Sequence, residues 1–183
     1  RIHTARQAEQ AFSAARDAGF DNINLDLIYG LPGQSPEDFF ESVDWAVRLF
    51  PEHLSLYSLI LEPGTPLYEQ NPDLPGEDAV LAMQRGAISR LEERGYARYE
   101  ISNFARPGYE CRHNLNYWRR GDYLGLGCAA HSLMGGERFA FPRSLEAYMT
   151  GEPPTREPLT PEDIRLETLM LGLRTAEGIP AQA

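Results

Sequence analysis

The sequence predicts an α/β fold built on parallel strands. Short apolar runs at 23–29 and 53–61 are separated by amphipathic helical patterns. Those helical patterns begin at capping residues and stop at Gly or Pro. The order helix–strand–helix–strand–helix requires crossover connections, and crossovers make neighbouring strands parallel. The unit is too short for a complete barrel but long enough to be part of one.

The elements follow in order. Residues 4–18 read as a helix with Thr4 as N-cap and Gly19 as stop. Ile23–Tyr29 reads as a strand ending in the turn Gly30-Leu31-Pro32-Gly33-Gln34. Ser35 caps the next helix, with Pro36 at its first position and Asp38 as capping-box partner, and Pro51 ends it. His53–Leu61 is the second strand, 62–66 a loop, and 77–94 a third helix stopped by Gly95. Residues 97–104 are strand-like, and 105–136 are irregular, rich in Gly, Arg and aromatics. Residues 137–141 read as a short strand and 151–160 as a Pro-rich linker. Thr160 and Pro161 then open a last helix that runs toward Gly178.

The 183 residues carry 17 basic and 27 acidic side chains, a net charge of −10. That balance disfavours a nucleic-acid role, which needs clustered positive charge. Hydrophobic residues make up 42%, enough to bury a core and exclude wholesale disorder. No apolar run is long enough to cross a bilayer. The two cysteines, Cys111 and Cys128, match no zinc or iron–sulfur spacing and read as free thiols of a reduced, cytoplasmic protein. The chain opens on Arg1-Ile2-His3 and closes at Ala183 just past a helical pattern, which reads as two cut ends.

Two clusters could carry chemistry. Asp26 lies among Leu25, Leu27 and Ile28 near the end of the first strand, and Asn24 shares its face. A carboxylate there can accept hydrogen bonds from ligand hydroxyl or amine groups, or cap a neighbouring helix. Glu62 closes the next strand at the same expected end, so the two carboxylates would border one pocket. The second cluster is His113-Asn114-Leu115-Asn116-Tyr117-Trp118. Its imidazole can ligate haem iron and its rings can flank a porphyrin. Arg112, Arg119 and Arg120 could meet propionates. The same string also suits an aromatic loop packed over a sheet edge. His131, among small residues, reads from composition as a core histidine.

Residues 24–34 (NLDLIYGLPGQ), 53–59 (HLSLYSL), 62–66 (EPGTP), 99–108 (YEISNFARPG), 122–127 (DYLGLG), 130–132 (AHS) and 171–178 (LGLRTAEG) form one ordered set. Together they resemble radical S-adenosylmethionine (SAM) proteins of the oxygen-independent coproporphyrinogen III oxidase family. Within that family the chain is similar to the haem-chaperone branch, whose His-Asn-x-x-Tyr-Trp hallmark is present at His113, Asn114, Tyr117 and Trp118.

The resemblance implies haem binding through His113, Asn114, Tyr117 and Trp118, with His113 the candidate iron ligand. It implies SAM contacts at Arg1, Asp26, Ile60 and His131, although the oxidases carry an apolar residue where His131 stands. It implies a [4Fe–4S] cluster held by a Cys-x-x-x-Cys-x-x-Cys motif that must lie upstream, because Cys111 and Cys128 cannot replace it. The fold implied is a fragment of a partial (β/α)6 radical-SAM barrel at 1–96, contributing its last strands. An accessory strand and loop region follows at 97–150. A linker and the first helix of a C-terminal helical domain occupy 151–183. The function implied is haem delivery to target proteins in the cytoplasm, with no catalytic residue assigned. A membrane-associated recipient and a homodimer stay open. The alternative is the oxidase itself, which decarboxylates two propionates through a 5′-deoxyadenosyl radical. A third reading is a scaffold piece without a ligand.

Overall fold

The computed structural model describes residues 3–180, so Arg1 lies outside the described residues. The chain divides after Glu110 into two compact units. The first contains helix α1 (Ala5–Asp17), strand β1 (Asn24–Tyr29), α2 (Pro36–Arg48), β2 (His53–Ser58), the short α3 (Pro66–Glu69), α4 (Glu77–Glu93), β3 (Ala97–Arg98) and β4 (Asn103–Ala105). Thr4 and Ser35 cap α1 and α2 through complete capping boxes, as their sequences predict.

These strands form one sheet in the order β1-β2-β4-β3. β1 and β2 are parallel and pair from Asn24↔His53 to Tyr29↔Ser58. β4 runs antiparallel to β2, with Leu54↔Phe104 and Ser55↔Asn103. The segment 97–104 is thus two short strands around a bend at Tyr99–Ser102.

Strand alternation sorts the side chains onto two faces. Leu54, Leu56 and Phe104 join Phe39 and Val43 of α2 and Met83 and Leu91 of α4 in one apolar core. The opposite face carries Asn24, Asp26 and Ile28 from β1, His53, Ser55 and Tyr57 from β2, and Asn103 from β4. It is exposed along β1 but buried at His53, Ser55 and Asn103. The first strand is therefore not a buried one. Its outer face, Asp26 included, meets solvent.

The second unit contains α5 (Arg112–Trp118), β5 (His131–Met134), β6 (Glu137–Ala140), α6 (Leu145–Met149), β7 (Thr155–Pro158) and α7 (Pro161–Gly172). The three strands form an antiparallel sheet in sequence order. Gly135 and Gly136, both at positive φ, make the two-residue hairpin between β5 and β6.

Two expectations change here. The Pro-rich stretch 151–160 is not only a linker, since β7 pairs with β6 along its length. As an edge strand it tolerates Pro158, and Glu157 pairs with Arg138 across the ladder at 3.0 Å. The last helix stops at Gly172, short of Gly178.

Candidate functional site

Asp26 is the exposed end of a hydrogen-bonded chain. Asn24 Nδ2 donates to Asp26 Oδ1 at 2.6 Å. This fixes the amide, so Asn24 Oδ1 faces inward and accepts from Ser55 Oγ at 3.2 Å. His53 Nδ1 lies 2.6 Å from the same oxygen. A carbonyl oxygen can only accept, so Nδ1 carries the imidazole proton. The lone pair on Nε2 then takes the hydroxyl of Tyr99 at 2.8 Å. Burial pushes the His53 pKa below the usual histidine range, against a weaker opposing pull from Asp26 and Glu110, so the ring is neutral near pH 7.

Asp26, Ser55 and Asn103 form one row across three strands. Asn103 is 5% exposed, and its Oδ1 has no hydrogen-bond partner among the described residues. The row thus ends in two acceptors, one on each side of a hydroxyl, which suits a ligand rich in N–H and O–H donors. An open groove borders Asp26 along the β1 edge, lined also by Ala8, Ile28, Leu31 and Trp45. Glu62 does not line it, so the two carboxylates expected to border one pocket do not. Ile60 follows β2 and is 72% exposed. His131, in the second unit, opens β5 and is exposed, not a core histidine.

The His113–Trp118 string is a helix, not a loop. Spacing of four residues puts His113 with Tyr117, and Asn114 with Trp118, on two neighbouring faces. His113 and Tyr117 are exposed and meet edge to face, with centroids 4.8 Å apart and planes at 87°. Asn114 and Trp118 are half-buried. Tyr117 also meets Tyr123 edge-on at 4.6 Å. A ladder of three rings therefore leads to one exposed imidazole. Asn116 braces the end of the helix by donating to the Asp122 carbonyl at 3.0 Å. A Cβ at Gly121 would stand 2.1 Å from Asn116 Oδ1, so a larger residue there would displace the Asn116 side chain.

The three arginines divide. Arg120 pairs with Glu167 at 2.9 Å and Arg119 with Glu177 at 2.7 Å, so neither is a free propionate partner. Arg112 is exposed and makes no ion pair among the described residues.

Sequence reasoning missed His53, Tyr99 and Tyr123. The signal for His53 was present: His53, Ser55 and Tyr57 alternate with Leu54 and Leu56, which marks a polar face on the second strand. Tyr99 lies 46 residues from His53, and nothing local announces the pair.

No group of three or more His, Cys, Asp or Glu side chains among the described residues is placed to hold a metal ion. The residues present therefore do not fit an iron–sulfur cluster. The Cys128 thiol lies against the Pro142 and Arg143 carbonyls, at 3.3 and 3.0 Å. No described helix is long and apolar enough to cross a membrane.

No family model matches the chain. It is similar to curated relatives named Heme chaperone HemW. That of Haemophilus influenzae is 38% identical over all of this chain and 49% of the relative. That of Bacillus subtilis is 38% identical over 98% of this chain and 50% of the relative. That of Escherichia coli is 45% identical over 72% of this chain and 35% of the relative. The chain thus spans about half the length, or less, of the curated relatives it matches. Among solved structures, coproporphyrinogen III oxidase (HemN) from Escherichia coli, described as a radical SAM enzyme, superposes with a TM-score of 0.81 at 24% identity. The superposition covers 96% of this chain and 45% of that one, and it shows a shared fold. Over its whole length this chain is thus similar to about half of the Heme chaperone HemW relatives, and it shares its fold with the HemN structure.

Proposed function

We propose that the protein to which this chain belongs binds haem on α5 and hands it to haem-accepting proteins in the cytoplasm. The observation that carries the reading is the exposed His113 imidazole backed edge-on by Tyr117. A neutral imidazole is a good iron ligand, and an aromatic ring beside it supports a flat apolar macrocycle. Asn114 and Trp118, half-buried on the neighbouring face, complete the haem site by resemblance to the family, and Arg112 is the guanidinium left to meet a propionate. The relatives' printed name, Heme chaperone, supports the same reading.

The other cofactor belongs to the first unit. Here β1 and β2 would be the last parallel strands of a partial (β/α)6 barrel, with cluster ligands from outside this chain. Asp26 would accept hydrogen bonds from the hydroxyl or ammonium groups of SAM, with Ile60 beside it. Arg1 and His131 are further contacts by resemblance to the family. When bound, SAM and the cluster would supply radical chemistry. This chain's own part is to bind and orient.

In the full-length protein, His113→Ala is expected to weaken haem binding at least about tenfold, the scale of one lost ligand contact. Haem titration spectra that do not change would remove His113 from the site. The alternative is the oxidase. Coproporphyrinogen turnover by the full-length protein, without haem binding, would establish that instead.

A further inference from the structure

We infer that Tyr99, His53 and Asn24 form a positioning relay that holds the Asp26 carboxylate in the orientation in which it meets its ligand. The inference rests on the reading of Asp26 as a ligand-binding residue and adds what fixes its geometry.

Each link has one direction. The Tyr99 hydroxyl donates to His53 Nε2, His53 Nδ1–H donates to Asn24 Oδ1, and Asn24 Nδ2–H donates to Asp26 Oδ1. Reversing the Asn24 amide would set its carbonyl oxygen against Asp26 Oδ1, two acceptors facing each other at 2.6 Å. The network therefore admits one amide orientation, and Asp26 always receives a donor on the same oxygen. The other oxygen is left to the ligand.

The burial pattern supports this role. His53 is 5% exposed and Tyr99 8%, whereas Asp26 meets solvent. A carboxylate on the polar face of a strand would otherwise rotate among its rotamers. A rigid buried anchor behind it cuts the ordering cost of binding, as supporting shells do around ligand-binding groups in general. Stability alone does not ask for the arrangement, because apolar side chains at 53 and 99 would bury area without polar groups to satisfy.

The test measures the dissociation constant of labelled SAM by equilibrium dialysis with the full-length protein. Asp26→Asn is the control. If it leaves binding unchanged, Asp26 does not bind SAM and the underlying reading fails. If it weakens binding, the relay is judged by the others. His53→Leu, which cuts the relay, should weaken binding about tenfold, the scale of a hydrogen bond to a charged group. Tyr99→Phe, which removes one hydroxyl, should weaken it about threefold. His53→Asn places an amide where Nδ1 stood and should restore binding to within about twofold of the native protein. His53→Gln places it where Nε2 stood and should not. A merely structural histidine would not separate Asn from Gln this way. Nitrogen-15 NMR of His53 should find the Nδ1–H tautomer, without ligand. The relay is overturned if Asp26→Asn weakens binding while His53→Leu and Tyr99→Phe do not. It is equally overturned if Asn and Gln behave alike, or if the ring carries its proton on Nε2.

Discussion

The two units are ordered by different forces. The first buries Phe39, Val43, Leu54, Met83 and Leu91 completely between its sheet and helices. In the second, Leu133 is the one buried large hydrophobic side chain among the described residues, while Leu124, Leu126, Leu166, Met170 and Leu173 are exposed. Its side chains are tied instead by ion pairs and ring edges. Glu167 holds Arg120 and Arg138, and Phe141 stands between Phe139 and Tyr148. The candidate residues follow suit. Asp26 is anchored by a buried network, whereas His113 sits on a seven-residue helix with no side-chain N-cap. The contrast assigns stability to the first unit and accessible surface to the second.

The strongest way to break that contrast is a core deletion. Phe39→Ala should cost about 3–5 kcal/mol, the usual loss for a fully buried phenylalanine. Phe141→Ala in the second unit should cost less than half as much, since its ring is only half-buried. Urea denaturation of both variants measures this. Equal losses would mean that the second unit has a core of the same quality.

Glu167 tests the ion-pair side. Burial alone would raise its carboxyl pKa, but hydrogen bonds and charge from Arg138 and Arg120 outweigh that and lower it. A depressed carboxylate pKa gives stability above the ordinary value near 4.5 that is lost as pH falls through the lower folded value. Glu167→Ala should cost about 1–2 kcal/mol, because it takes the ion-pair partner from Arg120 and one of two from Arg138. Arg165→Ala, which breaks only the exposed pair with Glu162, should stay within about 0.5 kcal/mol. Similar losses from the two would dissolve the distinction between tied and surface pairs.

His53 sharpens the other side through a single proton. Its folded pKa lies below the unfolded value near 6.5 because of burial. The unfolded chain therefore takes up the proton first. The first unit should lose stability as pH falls from about 6.5 through the folded value, and change little from this group above 6.5. Thermal melts of native protein and His53→Asn between pH 7 and pH 5 check it. The variant should show a flatter profile, and an identical slope would take the titration away from His53.

What the sequence foretold divides along the same line. The caps at Thr4, Ser35 and Thr160 and the parallel pairing of the first two strands were legible. Each is written in a few adjacent residues or in the order of elements. The strand β7 was not, because Thr155–Pro158 becomes a strand only by pairing with β6 some twenty residues away. The helix α5 hid because its aromatic residues have modest helix propensity and Cys111 gives no cap bond. At the site, Asp26 and Asn24 could be seen to share a face, but not that His53 and Tyr99 stand behind them. That link depends on register between strands and on a bend, and short-range patterning carries neither.

The smallest effect expected belongs to Leu126. At 82% exposure it gains little from folding, so Leu126→Ser should change stability by no more than about 0.5 kcal/mol. A neutral result sharpens the comparison. A large apolar side chain that folding does not reward, near the also exposed Leu124 in sequence, is surface that stability does not explain. Loss of more than about 1 kcal/mol would instead mean that Leu126 packs in the folded protein. The second unit would then own a core after all, and the division of labour between the two would fall.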